Sequence, residues 1–502
     1  MVGVYRIGIM NMKKSVITIR SVIVVILSIT SVASFLNAAT KKPNILMFAI
    51  DDLRPELKCY GARHIHSPNI DKLADEGFLF NRAYCQVAVC GASRASLLSG
   101  SRPEISQVWN YFTPMREKQP NVLSLPQHFR QNGYRTISLG KIYHAKNDDF
   151  PQGWSEQPWK PKGPQYYTQK SKDASTEHPR QKGRMMGPSI ENGGDSPDNA
   201  YGDGKVADEA VVRLTDFSKT PEKPFFLAVG FSKPHLPFVA PGKYWDLYKR
   251  DEIAIPIRKN AKNSPKYAHS GWGELKSYTD IDAKTDALDD AKTRELIHGY
   301  YASVSYMDRN VGHVLGALEK LGLKDNTIVI LWGDHGWYLG DFGDWCKHTN
   351  EEIATRVPMI IRVPDKKGGK KTDALSEFVD IYPTLCELSD LPVPKHCHGH
   401  SFKPLINDPT IEWKQAAFSQ YEKRDGSRRM SLRGTSVRTK NWRYTEWRDK
   451  KTNKIDAVEL YDLQKDPGAT VSVHGNPENV TVLKRHAELA KKSGTGVAPP
   501  KS

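Results

Sequence analysis

The stretch from Val89 to Gly100 contains residues that could bind and attack an anion. It reads VCGASRASLLSG, so an apolar run ends at Cys90 and small residues follow before the next apolar pair. This order predicts a turn that leads into a helix with Cys90 at its start. The N–H groups of a helix N-terminus carry a partial positive charge, and Arg94 adds a fixed cation on the same first turn. Cys90 is therefore either a small buried thiol or a thiol at the mouth of an anion-binding site.

Four apolar runs elsewhere in the chain end in acidic, basic or imidazole side chains. Such runs are typical of strands buried on both faces of a sheet, and ligands bind at the carboxyl ends of parallel strands. A lone histidine or lysine there is usually a packed or solvent-facing residue, but four such ends predict one shared site. The residues that follow the four runs are Asp51 and Asp52, Lys141 and His144, His235, and Asp334 and His335.

The elements that must position these residues alternate between strand and helix. This alternation predicts an α/β fold with a mostly parallel sheet covered on both faces. Predicted strands cover 43–50, 134–139, 224–231, 327–332 and 357–363. Predicted helices cover 67–77, 121–132, 294–321 and 376–388.

The chain divides into four predicted segments: a signal peptide over 1–39, a catalytic domain over 40–407, a smaller C-terminal subdomain over 408–493 and a disordered tail over 494–502. Within the catalytic domain, residues 151–203 are rich in Gly, Pro, Lys, Gln and Ser, which predicts a long surface excursion. After residue 407, short aromatic and charged runs predict an antiparallel sheet.

Residues 12–39 resemble a secretory signal. Met12 precedes two lysines, an apolar core spans 22–27, and small residues at 37–39 suit cleavage. Met12 is a plausible true start of translation. An uncleaved membrane anchor is the alternative, but polar residues interrupt the apolar run. We expect an exported protein, periplasmic or secreted, without a stable membrane span.

The composition favours an anionic partner. The chain has 73 Lys and Arg against 57 Asp and Glu, a formal net charge of +16. These charges are dispersed and no nucleic-acid motif is present, so a polyanionic saccharide suits the balance well.

Among six cysteines we predict a Cys386–Cys397 disulfide, but not a fold that depends on disulfides.

The same strand ends resemble the motifs of the type I sulfatases, in family order, and are most similar to the iduronate-2-sulfatase branch. The similarity extends over roughly residues 43–365 and is weak in the C-terminal part. It implies an alkaline-phosphatase-like α/β sandwich and a cysteine oxidised to formylglycine. The matching motifs are Asn44–Asp52, Cys90–Gly100, Gly140–His144, Lys233–Phe238 and Asp334–Gly340.

The resemblance implies one calcium ion bound by the formylglycine made from Cys90 together with Asp51, Asp52, Asp334 and His335. Carboxylate oxygens suit this hard cation. His335 is the weak member of the set because nitrogen is a poor calcium ligand, and a bond to the sulfate or the nucleophile is its alternative role.

The resemblance also implies a division of catalytic roles. Arg94, Lys141 and Lys347 would neutralise the sulfate oxygens. One hydroxyl of the hydrated formylglycine would attack sulfur while Asp334 accepts its proton. His235 would protonate the leaving alcohol, and His144 would deprotonate the second hydroxyl, which then expels sulfate.

One departure concerns maturation. Ala92 stands two residues after Cys90, where many relatives have proline. We therefore expect a radical-type formylglycine maturase as a partner, since that type tolerates alanine.

Two other functions remain open: a phosphatase or phosphodiesterase of the same superfamily, and a non-catalytic binder of sulfated polysaccharide.

The substrate class is expected to be a sulfated glycan, of glycosaminoglycan or algal type. Aromatic faces beside basic residues suit sugar rings that carry sulfate or carboxylate, although simple packing is the alternative for each ring. Candidate contacts lie in the excursion over 151–203, at Tyr111 and in the C-terminal aromatic runs. The main candidates are Trp109, Trp337, Trp345 and His348.

Overall fold

The computed structural model describes residues 1–4, 42–144, 149–177, 187–424 and 430–500. Residues 43–502 form one compact unit, and residues 1–42 form a separate unit. The predicted signal core and cleavage site therefore lie outside the described residues. Among the helices that are described, none has the length and apolar character needed to cross a membrane.

Eighteen short or medium strands are present in the described residues. In chain order they are β1 Asn44–Ile50, β2 Phe78–Phe80, β3 Ala83–Tyr84, β4 Arg135–Gly140, β5 Ile190–Asn192, β6 Phe225–Phe231, β7 Phe238–Ala240, β8 Thr327–Gly333, β9 Tyr338–Leu339, β10 Trp345–Cys346, β11 Arg356–Val357, β12 Met359–Arg362, β13 Lys370–Thr372, β14 Ser376–Glu377, β15 Ala417–Lys423, β16 Leu432–Arg438, β17 Trp442–Asp449 and β18 Ile455–Asp462.

The central sheet has seven strands in the order β13-β2-β12-β8-β1-β6-β4. Strands β1, β6 and β8 are buried at every position, as expected for apolar runs covered on both faces. Strand β1 pairs in parallel with β6 and β8, and β6 pairs in parallel with β4, whereas β12 runs antiparallel to both of its neighbours. The predicted α/β fold with a mostly parallel sheet is confirmed.

Thirteen α-helices accompany these strands in the described residues. They are α1 Pro68–Glu76, α2 Cys90–Ser99, α3 Pro103–Ser106, α4 Met115–Lys118, α5 Leu125–Gln131, α6 Gln169–Glu177, α7 Gly202–Ser218, α8 Gly242–Trp245, α9 Asp290–Lys320, α10 Glu352–Thr355, α11 Ile381–Leu388, α12 Lys403–Asn407 and α13 Val480–Ala490.

Several predicted elements differ in extent from the structure: the helix expected over 121–132 begins at Leu125, and the helix expected over 294–321 begins at Asp290. The strand expected over 357–363 is divided at Pro358, which has no N–H for a sheet hydrogen bond, into β11 and β12. The helix expected over 376–388 begins only at Ile381. Before it, the backbone N–H of Glu377 donates to the Asp380 carboxylate at 2.8 Å, a capping contact that starts the turn after β14.

The C-terminal part forms the predicted antiparallel sheet, four strands in the order β15-β16-β17-β18 with helix α13 packed on it. The predicted boundary at residue 407 stays a prediction. This sheet joins the catalytic part through polar contacts, such as the Ser419 hydroxyl, which donates to the Cys85 carbonyl at 2.6 Å. The C-terminal strands can therefore contribute side chains to a site on the catalytic part.

The predicted Cys386–Cys397 disulfide is wrong. All six cysteines are free thiols in the structure. Cys386 is fully buried on α11, whereas the Cys397 sulfur packs against the backbone at Gly100, so close that a Cβ there would lie 2.9 Å from it. Both thiols are therefore packing groups, Cys386 in the core and Cys397 packed against it.

Candidate active site

Helix α2 begins at Cys90, as predicted, and ends at Gly100, whose φ of 67° is left-handed. Cys90 is 4% exposed, so its thiol lies inside the protein. The loop at 110–111 passes directly over the start of the helix, because a Cβ on Gly91 would lie 2.6 Å from the Tyr111 Cα. Only glycine fits there, and this contact covers one side of Cys90.

Two adjacent carboxylates at the end of β1 face Cys90. Asp52 has a left-handed backbone, with φ of 58°, and its N–H donates to the Asp334 carboxylate at 3.0 Å. Its carbonyl accepts from the Tyr300 hydroxyl at 2.8 Å. These bonds stabilise a turn that an aspartate tolerates better than most residues, and they orient both acids toward one point.

A group of four side chains could hold a metal ion. One donor atom from each of Asp51, Asp52, Cys90 and His335 lies within 4.8 Å of the other three, and all four residues are buried. The two carboxylates suit a hard cation, whereas the imidazole is a poor calcium ligand and a thiol does not suit calcium. Conversion of the thiol to an oxygen group would make the set fit calcium.

Asp334 borders this group without belonging to the four. Its carboxylate accepts from the backbone N–H groups of Asp52 and His335, both at 3.0 Å, and from Arg94 Nε at 2.8 Å. The Ser93 hydroxyl on α2 donates to the Asp334 carbonyl at 2.6 Å. Asp334 thus connects β8, β1 and α2.

His335 lies close to Cys90 and Asp52, two of the residues predicted to share a calcium ion with it. Its Nε2 is 3.4 Å from the Cys90 sulfur and 3.3 Å from an Asp52 carboxylate oxygen. Its Nδ1 donates to the Gly336 carbonyl at 3.0 Å, which leaves Nε2 directed at the site. The geometry accommodates either a metal ligand or a partner of the nucleophile.

Arg94 orients the acids and is fully buried. It bonds Asp334 through Nε and Asp51 through Nη2, the latter at 3.2 Å, and it also donates to the backbone carbonyls of Lys141 and Ile142. Burial opposes its charge, but Asp334 and Asp51 raise its pKa above the usual value. This guanidinium fixes the positions of two carboxylates from two different strands.

Two lysines neutralise the paired acids. Lys141 forms an ion pair with Asp51, while the Lys347 ammonium lies 3.1 Å from Asp52 and 4.6 Å from the centre of the Trp337 ring. Burial opposes the charge of Lys347, but Asp52 and Glu274 raise its pKa well above the usual value. Both ammonium groups are therefore fixed beside the paired acids.

Glu274 is a site residue that the sequence did not predict. One of its oxygens is 2.9 Å from His235 Nε2 and the other 2.7 Å from Lys347 Nζ. It lies in a stretch between α8 and α9 without regular periodicity, so no pattern indicated it. The donor atoms of Asp52, His235 and Glu274 lie close enough together that they could hold a metal ion, but the Lys347 ammonium already supplies a positive charge between Asp52 and Glu274.

The two predicted proton carriers differ in protonation. Burial opposes the charged form of His235, but Glu274 and Asp52 raise its pKa; its Nδ1 donates to the Leu236 carbonyl at 2.6 Å. Burial and the charge of Lys141 lower the pKa of His144 to about 4. His235 therefore tends to hold a proton, and His144 tends to be a neutral base.

The predicted substrate contacts divide into two groups. Trp337 and Trp345 are 0% and 2% exposed, so their rings offer no face to a sugar and serve as packing residues. Trp109 is half-buried, with the guanidinium of Arg433 4.0 Å above its ring. His348 is half-buried and stacks on Tyr421 with ring centres 5.8 Å apart. Strands β15 and β16 thus contribute Tyr421 and Arg433 to a half-buried surface with Trp109 and His348, which we call the rim.

Comparison with known proteins identifies the family. The sulfatase family model matches residues 43–391, and the model for the C-terminal part of N-sulphoglucosamine sulphohydrolase matches residues 333–493. Iduronate 2-sulfatase of Mus musculus is 32% identical over 89% of this chain and 93% of its own length. This chain belongs to the sulfatase family. Human iduronate 2-sulfatase is 31% identical over 86% of this chain and 91% of its own length, so this sulfatase resembles the iduronate-2-sulfatase branch.

Solved structures agree with the fold of this sulfatase. A protein in complex with its substrate D-glucosamine-2-N,6-O-disulfate superposes with a TM-score of 0.72 at 24% identity, over 90% of this chain and 97% of the other. The phosphonate monoester hydrolase of Agrobacterium radiobacter gives 0.71 at 20% identity, over 92% and 100%. At these identities the likeness shows a shared fold. The family match favours a sulfatase over the phosphatase and binder alternatives.

Proposed function

We propose that this sulfatase removes sulfate from a sulfated glycan, with a formylglycine made from Cys90 and one calcium ion. The observation that carries the proposal is the buried group of Cys90, Asp51, Asp52 and His335, whose donor atoms lie within 4.8 Å of one another. A nucleophile precursor, a cation-binding set and two fixed ammonium groups around one point suit an anionic ester.

Asp51, Asp52, Asp334, His335 and the modified Cys90 would hold the calcium ion. Bound there, calcium would withdraw charge from the sulfate oxygens and favour ionisation of the nucleophile. Arg94 has a positioning role in this scheme, because its donors are engaged by Asp51, Asp334 and two backbone carbonyls. It keeps two of the acids in place rather than binding sulfate.

The other chain groups move protons and balance charge. Lys141 and Lys347 stabilise the sulfate oxygens. His235 donates a proton from Nε2 to the leaving alcohol, and the charge of the Glu274 carboxylate, 2.9 Å from that nitrogen, favours the protonated ring. His144 is neutral near pH 7, since its pKa is lowered to about 4, and so can accept a proton on its ring.

Sugar-binding residues lie on the rim around Trp109, Tyr111, His348, Tyr421 and Arg433. Tyr111 is 49% exposed, and its ring centre is 5.3 Å from that of His144, so this aromatic surface borders His144. Relatives include iduronate 2-sulfatases and an N-acetylglucosamine-6-O-sulfatase of Bacteroides thetaiotaomicron, 26% identical over 93% of this chain. We favour a glycosaminoglycan as substrate, reached by an exported enzyme.

Maturation must precede folding. Cys90 is 4% exposed, so a modifying enzyme cannot reach its thiol in the folded protein. The alanine at position 92 favours a radical-type maturase over one that requires proline at that position.

Sulfate release from defined sulfated disaccharides and from an aryl sulfate tests the function, with an aryl phosphate as control. We expect hydrolysis of the sulfates, loss on chelation and recovery with Ca²⁺. Mass spectrometry of the Cys90 peptide should show the aldehyde. Faster hydrolysis of the phosphate, or an unmodified thiol in active enzyme, would contradict the proposal.

A further inference from the structure

A second groove lies between the catalytic part and the C-terminal sheet, and it has a volume of about 740 Å³. Its walls come from the turn after β2, the edge strand β13, the segment 409–415, the β16–β17 turn and helix α13. The side chains that define it are Arg82, Lys371, Trp413, Lys440, Trp442 and Arg485.

The groove has an excess of cations whose charges are available to a ligand. Lys371, Lys440 and Arg485 are exposed. Lys371 donates to the Cys59 carbonyl at 3.0 Å, and half-buried Arg82 donates to the Lys440 carbonyl at 3.1 Å. None of these four cations has a carboxylate partner within the described part of the chain.

The acidic residues of the groove are fewer. Asp373 accepts from the Asn81 amide at 3.0 Å, and Glu412 is exposed. A fifth cation, Lys414, is buried and already neutralised by Glu377 and Asp380, at 2.7 and 2.6 Å. Four available cations against two acids make the groove a site for an anion.

The remaining lining groups suit a saccharide. Trp442 is half-buried, so part of its ring faces the groove, and Asn441 and Gln415 add amides for hydroxyl groups. Arginine and lysine together bind sulfate or carboxylate groups well. A sugar chain with repeated anionic groups satisfies both features along one groove.

The groove is separate from the active site. In the central sheet, β13 is three strands away from β8, the strand that leads to Asp334. At about 4.8 Å per strand, this separation is about 14 Å, or several sugar units along an extended chain. One long polysaccharide could occupy the groove while a different part of the same chain is in reach of Cys90.

We propose that this groove binds sulfated polysaccharide outside the active site and holds the enzyme on a polymeric substrate. The inference rests on the proposed function, because the bound polymer is taken to be the substrate of the sulfatase. Binding at the groove raises the local concentration of sulfate esters near the active site. It therefore increases kcat/KM for a polymer and leaves kcat/KM for a small sulfate ester unchanged.

The test uses the full-length protein with Lys440→Ala and Arg485→Ala combined. The matched control combines Arg63→Ala and Lys320→Ala, which removes the same two charges from exposed positions elsewhere. In a Cys90→Ala background, affinity is measured for dextran sulfate and heparin, with neutral dextran, a short DNA duplex and phosphatidylserine vesicles as comparisons. Activity on a polymer and on a small sulfate ester is measured with the same double variants in protein that retains Cys90.

We expect the groove variant to bind dextran sulfate and heparin about tenfold more weakly, with the control variant unchanged. Its kcat/KM should fall on the polymer only. Equal losses in both double variants, or no loss in either, would overturn the proposal, as would tighter binding of DNA or vesicles than of the sulfated polymers. Wild-type activity on the small ester is measured in parallel. If the wild type hydrolyses this ester, a negative result for the groove variant contradicts the groove proposal and not the proposed sulfatase function.

Discussion

Glu274 bridges His235 and Lys347, with its carboxylate oxygens 2.9 Å from the histidine Nε2 and 2.7 Å from the lysine Nζ. It therefore links the residue that we propose as proton donor to one that we propose neutralises charge. Lys347 is itself held in a strained segment, since Cys346 and His348 on either side have φ of 70° and 82°. A bridge of this kind fixes both groups before the substrate arrives.

Replacement of this bridge should impair catalysis more than folding. Glu274→Gln keeps the shape of the side chain but removes the charge that holds a proton on His235 and pairs with Lys347. We expect kcat to fall about 100-fold with a smaller change in KM. Glu252→Gln, at an exposed ion pair with Lys249, is the control and should leave kcat unchanged. An unaltered kcat in the Glu274 variant would exclude a positioning role.

Loss of the nucleophile precursor should separate binding from turnover. Cys90→Ala leaves the helix start and the surrounding cations in place, so we expect it to bind a sulfated disaccharide without hydrolysing it. Calorimetry and sulfate release measure the two properties. Cys397→Ala removes a half-buried thiol elsewhere and should keep both. Continued hydrolysis by the Cys90 variant would refute the proposed nucleophile.

The sequence predicts the acids and bases at strand ends because long apolar runs define both the strand and its end. Asp51, Lys141, His235 and Asp334 follow such runs and come together in the structure as expected. Glu274 escapes prediction because its neighbours have no periodicity and it reaches the site only through tertiary packing. The same limit applies to Cys386 and Cys397, since spacing along the chain does not indicate where each sulfur points.

The aromatic residues show a second limit of sequence reasoning. Trp337 and Trp345 follow a strand end and look suitable for a sugar, yet both are buried, Trp337 as a support for Lys347. Trp109 is predicted as a sugar contact in the same way, but it lies at the rim under Arg433, a residue more than 300 positions away in the sequence. Burial of a loop tryptophan depends on these distant contacts, which no local pattern contains.

Arg94 should not be replaceable by lysine. Its Nε and Nη2 bond Asp334 and Asp51 while its Nη1 donates to the carbonyls of Lys141 and Ile142, and the compact ammonium group of a lysine cannot reach all of these acceptors from one point. We expect Arg94→Lys to destabilise the fold by about 3 kcal/mol, because two buried carboxylates lose a partner. Chemical unfolding with and without Ca²⁺ measures this; Arg130→Lys, at an exposed position, is the control. Equal stability of the Arg94 and Arg130 variants would show that Arg94 is dispensable for the acids.

Glu459 should make stability depend on pH. It is 3% exposed, and burial together with the nearby Glu351 raises its pKa from 4.5 to about 7. The folded state therefore holds this proton more tightly than the unfolded state, and the resulting stabilisation is complete below about pH 4.5 and lost as pH rises through 7. Glu459→Gln cannot ionise, so its Tm relative to wild type should increase by a few degrees from pH 5 to pH 8. A constant difference in Tm would contradict the raised pKa.

Arg433 should select for saccharide substrates. Its guanidinium lies 4.0 Å from the centre of the Trp109 ring and 3.1 Å from a Glu422 oxygen, at a rim that also includes the exposed Tyr111. Arg433→Ala removes the cation and uncovers the indole, so we expect KM for a sulfated disaccharide to rise about fivefold. An aryl sulfate, which has no sugar ring for the rim to bind, should keep its kcat/KM. Arg448→Ala, on the next strand and paired with Glu446, is the matched control and should alter neither substrate. A parallel loss on both substrates in the Arg433 variant would mean that the rim supports the fold rather than the sugar.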